Sequence, residues 1–443
     1  MSNLTLRSIT GKDGQPVMFP TGISIGAGAP GGVNAIGTAG QRGFGVGVCP
    51  GPLPSGMGGL FGYQDPSSDN YGNYQYSDGS VMVWIPAFYY KWGTGANGLA
   101  INAVDIKPFS QYASVADAAA AGYALHRAFY DGGAIKQGVF VDKYQCSNNN
   151  GIASSIKNGN PLSSAAAHNP FAGLTGAPAN FYYGAIAAAK TRGANFFCNS
   201  RFIFAALAML AYAHGQASTN TTYCAWYHAT NNFPKGCNNN ALRDTNDTEV
   251  LYVSDGYSNC GKTGSANLFA RTTHNGQNSG VADLNGNMWE ITPGLTSNGT
   301  NIYALKTTAS MKDVTSGNTL ATDLWGATGI AALYDDLGTT YGAAWETGAN
   351  RTTYYGSAAQ VFSEATSGNA WNWAGLGGML VAGDGGTNAF GSDGFWDYKP
   401  NEMCPLSCGY WTHGSPAGVW AFTLDSVRSG SGAAVGFRAA LYL

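Results

Sequence analysis

The sequence has few charged residues: 22 Lys and Arg and 25 Asp and Glu among 443 positions, or 11%. A typical soluble protein has about 25%. Scarce charge combined with 13% aromatic residues excludes an intrinsically disordered chain, which shows the opposite balance. A net charge of −3 gives no electrostatic reason to expect a nucleic-acid partner, and 64 glycines exclude a coiled coil or a helical bundle. The composition indicates a compact protein rich in turns and ordered loops.

Long apolar runs are also missing from the sequence. The longest run, from Phe202 to Ala213, is about half of the roughly 20 residues that a membrane-spanning helix requires. The N-terminal segment lacks the apolar stretch of a secretory signal. We therefore expect no membrane span and synthesis in the cytoplasm without a signal peptide.

Closely spaced cysteines and histidines are scarce as well. Eight cysteines in a chain of this length are too few for a disulfide scaffold, and no spacing matches a zinc motif. Cys404 and Cys408 are the only close pair. Two interpretations of this pair remain open from the sequence, a local disulfide and two free thiols.

The order of residue types divides the chain into three regions. Residues 1–45 are rich in Gly, Ala and Pro and predict an N-terminal arm or attachment region, and residues 46–79 predict a connecting β segment. Residues 80–443 have the composition of a globular domain. Within this domain the patterns predict the following elements: strands Ser80–Pro86, Phe88–Trp92 as its hairpin partner, Val139–Gln145 and Val435–Leu443, and helices Ser114–Tyr130, Ala179–Lys190 and Ser200–His214.

One segment carries a recognisable motif: Gly280–Glu290, which reads GVADLNGNMWE. It resembles the signature of the formylglycine-generating-enzyme/sulfatase-modifying-factor branch of the C-type lectin fold. Four other segments are similar to motifs of that family and follow in the same order: Met82–Pro86, Phe140–Tyr144, Arg201–Gly215 and Val435–Arg438. The resemblance implies an α+β, C-type-lectin-like domain with long ordered loops over residues 80–443, preceded by a β-rich or extended N-terminal attachment region.

Other segments are similar to phage proteins. The region from Gly418 to Leu441 resembles the C-terminal part of phage tropism determinants and of variable proteins diversified by retroelements, and Gly43–Gly47 and Ser77–Tyr90 resemble sequence of phage tail-associated proteins. This resemblance implies a protein of the virion tail or fibre. It further implies a homotrimer that attaches to other tail proteins through its N-terminal region and binds a host-cell receptor.

A candidate binding surface lies at about residues 391–432, where aromatic residues alternate with Gly, Ser, Asp and Pro. Tyr and Trp beside Ser and Gly are typical of binding surfaces, because large rigid rings are combined with adaptable polar groups. Trp420 and Phe422 alternate as expected for core residues. The predicted receptor-binding residues, for a glycan or a protein receptor, are Phe395, Trp396, Tyr398, Tyr410, Trp411 and His413.

Calcium is the one cofactor that the motif suggests. Carboxylates that flank a tight Asn-Gly-Asn turn suit a hard cation such as Ca²⁺, which takes six to eight oxygen ligands. By resemblance to the family, the ligands of a structural Ca²⁺ would be the side chains of Asp283 and Glu290 and the carbonyls of Gly286 and Met288. In the alternative interpretation, Gly286 only forms a turn, Trp289 lies in the core and Glu290 makes a buried hydrogen bond.

The sequence argues against catalysis. Enzymes of the resembled family carry a cysteine after the closing Gly-Phe-Arg motif, where this chain has Ala439, and a thiolate pair is what selects Cu(I). The predicted function is therefore a non-enzymatic phage receptor-binding or tail-fibre protein. A structural virion decoration protein is the first alternative, and a formylglycine-generating-type oxidase is the second.

Overall fold

A computed structural model describes residues 32–100, 103–176, 180–229, 233–314, 330–339, 347–348, 351–354 and 393–443. Most of the predicted N-terminal arm, residues 1–31, and the first two residues of the predicted binding surface, 391–392, lie outside this described part.

The helices of the described part are short, apart from two. They are α1 (Val115–Ala120), α2 (Ala172–Thr175), α3 (Phe181–Lys190) and α4 (Arg201–Ala217), with 3₁₀ turns at Phe109–Gln111, Arg127–Phe129, Phe269–Thr272, Met311–Asp313 and Ile330–Leu333. The strands are β1 (Met57–Gly59), β2 (Asn73–Tyr76), β3 (Val81–Pro86), β4 (Phe88–Trp92), β5 (Val104–Pro108), β6 (Ala124–Leu125), β7 (Tyr130–Asp131), β8 (Ala134–Ile135), β9 (Gly138–Asp142), β10 (Ser147–Asn149), β11 (Ile152–Ser154), β12 (Phe197–Cys198), β13 (Trp289–Ile291), β14 (Leu295–Ser297), β15 (Ile302–Leu305), β16 (Tyr334–Asp336), β17 (Arg351–Tyr354), β18 (Gly394–Asp397), β19 (Leu406–Ser407), β20 (Phe422–Thr423), β21 (Val435–Gly436) and β22 (Ala439–Leu441).

Two six-stranded sheets organise these strands. The first has the order β1-β2-β3-β9-β22-β12, and the second has the order β17-β18-β20-β19-β13-β21. The remaining strands form two three-stranded sheets, β14-β15-β16 and β5-β4-β6, and the hairpins β10-β11 and β7-β8. The C-terminal segment supplies β21 to the second sheet and β22 to the first, so the end of the chain links the two large sheets.

Helix α4 lies in the main hydrophobic core, where it packs against β5 and the 3₁₀ turn at Arg127–Phe129. Its residues from Arg201 to Gly215 are all buried, as expected for a helix that is apolar on every side. The hydroxyl of Ser200 caps the helix by accepting a hydrogen bond of 3.2 Å from the backbone N–H of Ile203. At the same end, the Arg201 guanidinium lies over the Phe422 ring and donates to the Ser407 hydroxyl, which joins the helix to the inner face of the second sheet.

The predicted α+β, C-type-lectin-like fold class is wrong. The described chain is mostly β with few helices, 24% strand and 15% helix, in several sheets. One reason is that the Ala-rich segment 114–130 forms much less helix than its composition predicts. Helix α1 begins after the predicted Ser114 cap but ends at Ala120, because Gly122 follows with a positive φ of 79° and the chain continues into β6. Helix propensity was therefore outweighed by local backbone geometry.

Strand pairing differs from the prediction in one place. β3 and β4 form at nearly the predicted residues, but they are not hairpin partners. β3 pairs with β9, with Trp84 opposite Phe140, while β4 pairs with β5 and β6. Ala87 between the two strands donates its N–H to the Gln137 carbonyl, so the chain crosses from one sheet to another there. The predicted final strand is likewise divided into β21 and β22.

The described part of the N-terminal region contacts the core. Ile36, Phe44, Val46 and Val48 are buried members of the main hydrophobic cluster, and β1 and β2 extend the first sheet. None of the helices in the described ranges combines the length and apolarity needed to cross a membrane.

Candidate functional site

A cleft of about 490 Å³ lies on the outer face of the second sheet. Trp396 of β18, Thr423 of β20 and Leu406 of β19 line it as direct cross-strand neighbours. Trp289 of β13 lies opposite Val435 of β21, and both also line the cleft. Since successive side chains of a strand point to opposite faces, these five residues define one continuous face.

The inner face of the same sheet is core. Phe395, the neighbour of Trp396, is fully buried, and its ring lies 4.7 Å from the Phe422 ring. Trp420, which precedes β20, is also buried, as predicted for it and for Phe422. Successive side chains of β18 alternate between the two faces, so the half-buried Trp396 faces the cleft and Phe395 faces the core. The position of Phe395 does not support the prediction that it belongs to an exposed binding surface.

The loop between β19 and β20 brings Tyr410, Trp411 and His413 to the cleft. The His413 ring stacks on the Trp396 ring, with centroids 5.0 Å apart and an interplanar angle of 17°. Tyr410 and Trp289 contact the same imidazole edge-to-face, at 4.4 Å and 5.2 Å. These contacts make one aromatic cluster from a strand and a loop that are distant in sequence.

His413 is an aromatic contact in this cluster and not a charged one at neutral pH. Burial lowers the pKa of its imidazole from the ordinary value of 6.5 to about 4. Stacking of a neutral imidazole on Trp396 is therefore the arrangement that the surroundings favour.

Trp411 and Tyr257 form the opposite wall of the cleft. The Trp411 side chain is mostly covered, at 5% exposed, and its ring lies 6.2 Å from that of Tyr257 in an edge-on arrangement. Polar groups occur between the aromatic residues: the hydroxyls of Ser258, Thr423 and Ser426 and the carboxylate of Asp425. A concave site of this size with aromatic walls and a few polar groups has the features of a ligand-binding site.

The Gly280–Glu290 motif supports the loop that carries these aromatics. The Trp411 N–H donates to the Asn287 carbonyl at 3.1 Å, and the Gly286 N–H donates to the Cys408 sulfur at 3.1 Å. The Cys408 thiol in turn donates to the Gly286 carbonyl at 3.3 Å. The motif thus holds both ends of the loop segment between Cys408 and Trp411.

The predicted calcium ligands are buried, and their oxygens already accept hydrogen bonds from protein groups. Asp283 accepts from the Tyr252 hydroxyl at 3.2 Å and from the Gly264 N–H at 2.7 Å. Glu290 accepts from Arg438, whose Nε lies 2.6 Å from Oε2.

The two carbonyls are similarly engaged. The Gly286 carbonyl accepts from Cys408, and the Met288 carbonyl accepts from the Gln145 amide at 3.3 Å, which also donates to Glu290. The positive charge at this site is the buried Arg438 guanidinium. The arrangement therefore does not fit a Ca²⁺ ion, and it corresponds to the alternative in which Glu290 makes a buried polar contact. The calcium prediction itself stays open to the measurement described below.

The structure thus brings together four of the six predicted binding residues, Trp396, Tyr410, Trp411 and His413. Tyr398 is half-buried and is not among the residues that line the cleft. The sequence interpretation missed Trp289, Tyr257 and Phe181 in the lining. Trp289 could have been predicted to face the cleft, because it alternates along β13 with Glu290, whose side chain faces the core. Tyr257 and Phe181 reach the site only through tertiary packing.

The cysteines that could have suggested an oxidase do not form a reactive pair. All eight cysteines lie among the described residues, and each is buried as a free thiol. Burial raises the pKa of Cys404 to about 12 and that of Cys408 well above its ordinary value, so both are protonated at neutral pH. The residue after Arg438, Ala439, pairs with Cys198 in the first sheet.

No protein-family model matches the sequence, and no curated protein is significantly similar to it.

Proposed function

We propose that the protein is a non-enzymatic receptor-binding protein of a phage tail or fibre, and that the aromatic cleft holds the host-cell ligand. The observation that carries the proposal is the convergence of Trp396, Tyr410, Trp411 and His413 with Trp289 on one concave face. A concave lining of aromatic rings with a few polar groups is typical of ligand-binding sites.

A host glycan or a protein segment suits this lining. The apolar face of a sugar or of an aliphatic side chain packs on the rings, and its polar groups meet the Ser258, Thr423 and Asp425 side chains. The backbone contacts that anchor the Cys408–Trp411 segment to the motif fix the rings before the ligand arrives, so less conformational entropy is lost on binding.

The similarity of short segments to tail-associated proteins supports a location in the virion. The same similarity supports a homotrimer whose N-terminal region attaches to other tail proteins. The low content of charged residues supports assembly, because few charges need to be desolvated where copies meet.

Binding of the full chain to a glycan array and to bacterial cell-envelope preparations tests the proposal. Trp396→Ala and Tyr410→Ala are expected to weaken binding at least about 30-fold, the effect of removing a central aromatic contact. Phe61→Ala is the matched control, because Phe61 is 97% exposed and outside the cleft. Unchanged binding by both cleft variants, or no binding by the wild type to any surface, would contradict the proposal.

A further inference from the structure

Three side chains with metal-binding atoms converge beside the Tyr257 wall of the cleft. The ligand atoms of His168, Asp255 and Cys260 all lie within 4.8 Å of one another. Their side chains are almost completely buried: 3% of His168 and none of the Asp255 side chain is exposed, and Cys260 is fully buried.

The His168 imidazole faces an oxygen atom on both sides. Its Nδ1 lies 2.8 Å from the Ala433 carbonyl, and its Nε2 lies 2.5 Å from a carboxylate oxygen of Asp255. A neutral imidazole has a single N–H and can donate to one of these acceptors only. When Nδ1 donates to Ala433, Nε2 keeps a lone pair beside the Asp255 carboxylate, and a metal ion bound by both groups would occupy this position.

The hydrogen bond at Nδ1 is the one that metal-bound histidines make. Donation from one ring nitrogen to a backbone carbonyl fixes the tautomer and presents the other nitrogen to the metal. Stacking of the His168 ring on Tyr257, with centroids 4.2 Å apart and an interplanar angle of 12°, restricts its rotation further.

Asp255 and Cys260 are held by a closed loop. The Asp255 N–H donates to the Cys260 carbonyl at 3.0 Å, and the Tyr257 N–H donates to the other Asp255 oxygen at 2.8 Å. The Cys260 sulfur already contacts the Asp255 carboxylate by a side-chain hydrogen bond, so it faces the group with which it would share the cation. Its other contacts are long, 3.7 Å to the Gly261 carbonyl and 3.8 Å to the Asn287 side-chain oxygen.

We propose that His168, Asp255 and Cys260 bind a zinc ion, with a water molecule as the fourth ligand. One nitrogen, one oxygen and one sulfur suit the borderline-soft Zn²⁺ better than the hard Ca²⁺ or Mg²⁺. Metal–ligand bonds of about 2.0–2.3 Å place tetrahedral ligand atoms roughly 3.5 Å apart. The His168 and Asp255 atoms, now 2.5 Å apart, would therefore separate by about 1 Å to admit the ion, and the longer distances within the cluster, at most 4.8 Å, would shorten by about 1 Å. The ion joins the Asp255–Cys260 loop, which carries Tyr257 and Ser258 into the cleft, to His168.

Binding releases the thiol proton of Cys260 to solvent, because the thiolate and not the thiol is the metal ligand. Nε2 of His168 binds Zn²⁺ while Nδ1 keeps its hydrogen bond to the Ala433 carbonyl.

Zinc titration of the EDTA-treated full chain by calorimetry measures stoichiometry and affinity. One ion per chain with micromolar or tighter affinity is expected. Cys260→Ser should weaken binding at least about 100-fold, whereas the buried Cys224→Ser control should match the wild type.

A second measurement keeps the test valid if Cys260→Ser does not fold. Cobalt added to the wild-type chain should give a thiolate-to-metal charge-transfer absorption, which Asp255→Asn weakens and zinc abolishes by displacement. Absence of zinc binding by the wild type, zinc binding by Cys260→Ser at wild-type affinity, or cobalt spectra without a thiolate band would overturn the proposal. These outcomes are independent of whether the cleft binds a receptor.

Discussion

Replacing Glu290 by Gln is expected to destabilise the protein by removing one charge of a buried ion pair. Arg438 is fully buried, and two of its nitrogens contact the Glu290 carboxylate. The guanidinium has further acceptors in the carbonyls of Asp142, at 3.2 Å, and Ala282, at 3.0 Å. Glutamine keeps the shape of the side chain but leaves the Arg438 charge without a counterion in direct contact.

The magnitude follows from this environment. Breaking a buried pair by removing one partner costs about 3–5 kcal/mol in the free energy of unfolding, because an uncompensated charge remains. The retained carbonyl acceptors and the nearby Asp283 carboxylate compensate in part, although burial raises the Asp283 pKa to about 6. We therefore expect a loss near the lower limit, about 3 kcal/mol.

Chemical denaturation of the wild type and two variants checks this value. Glu249→Gln is the matched control: Glu249 also contacts an arginine, Arg271, at 2.9 Å, but its side chain is 71% exposed. An exposed pair contributes about 0–1 kcal/mol.

The same denaturation experiment also tests the predicted calcium site. If Arg438 supplies the positive charge, added Ca²⁺ leaves the stability of the EDTA-treated wild type unchanged. Equal effects of Glu290→Gln and Glu249→Gln would refute the reasoning. So would a calcium-dependent stabilisation that Glu290→Gln abolishes, which would restore the calcium site.

Two further predictions concern stability. Burial lowers the pKa of three histidines from 6.5 to about 3, 4 and 4, respectively: His126, His214 and His274. The unfolded chain therefore binds protons that the folded chain does not as the pH falls from about 6.5 to about 4, and stability is lost over that window. Four buried aspartates oppose this, because their raised pKa values let the folded state take up protons first: Asp131, Asp244, Asp283 and Asp393. The histidine shifts cover the whole interval from 6.5 to about 4, so urea unfolding at pH 7 and pH 5 should show a net loss. Equal stability at the two pH values would contradict the assignment. Gly236→Ala should lower the free energy of unfolding by at least about 3 kcal/mol, because a Cβ there would lie 1.2 Å from the Asn285 carbonyl oxygen. Gly58→Ala is the control, because a Cβ at residue 58 meets no atom within 4 Å. Similar urea midpoints for the two glycine variants would show that the chain does not approach so closely at residue 236.

Local signals predicted single elements well. The Ser200 cap and the continuous apolar composition that follows it were sufficient for α4, apart from its last turn, and β3 formed at nearly the predicted residues. The fold class could not be predicted in the same way. Which strands pair depends on contacts between distant segments, such as β3 with β9 and β9 with β22, and motif order alone did not reveal it.

The candidate site shows the same division. The density of aromatic residues singled out Trp396, Tyr410, Trp411 and His413, and these four residues line a single cleft. Two-residue alternation within β18 would have separated Phe395 from them. No spacing pattern revealed the cluster of His168, Asp255 and Cys260. Asp255 and Cys260 follow His168 by 87 and 92 positions, so the three residues meet only through tertiary structure.

Hydrogen–deuterium exchange of the full chain, with and without the ligand selected from the array, most directly tests whether the aromatic cleft is the binding surface. The account predicts slower exchange in peptides that contain Trp396, Tyr410–His413 and Thr423–Ser426, with no change around Phe61. Protection confined to other segments, with these cleft peptides unchanged at saturating ligand, would contradict it.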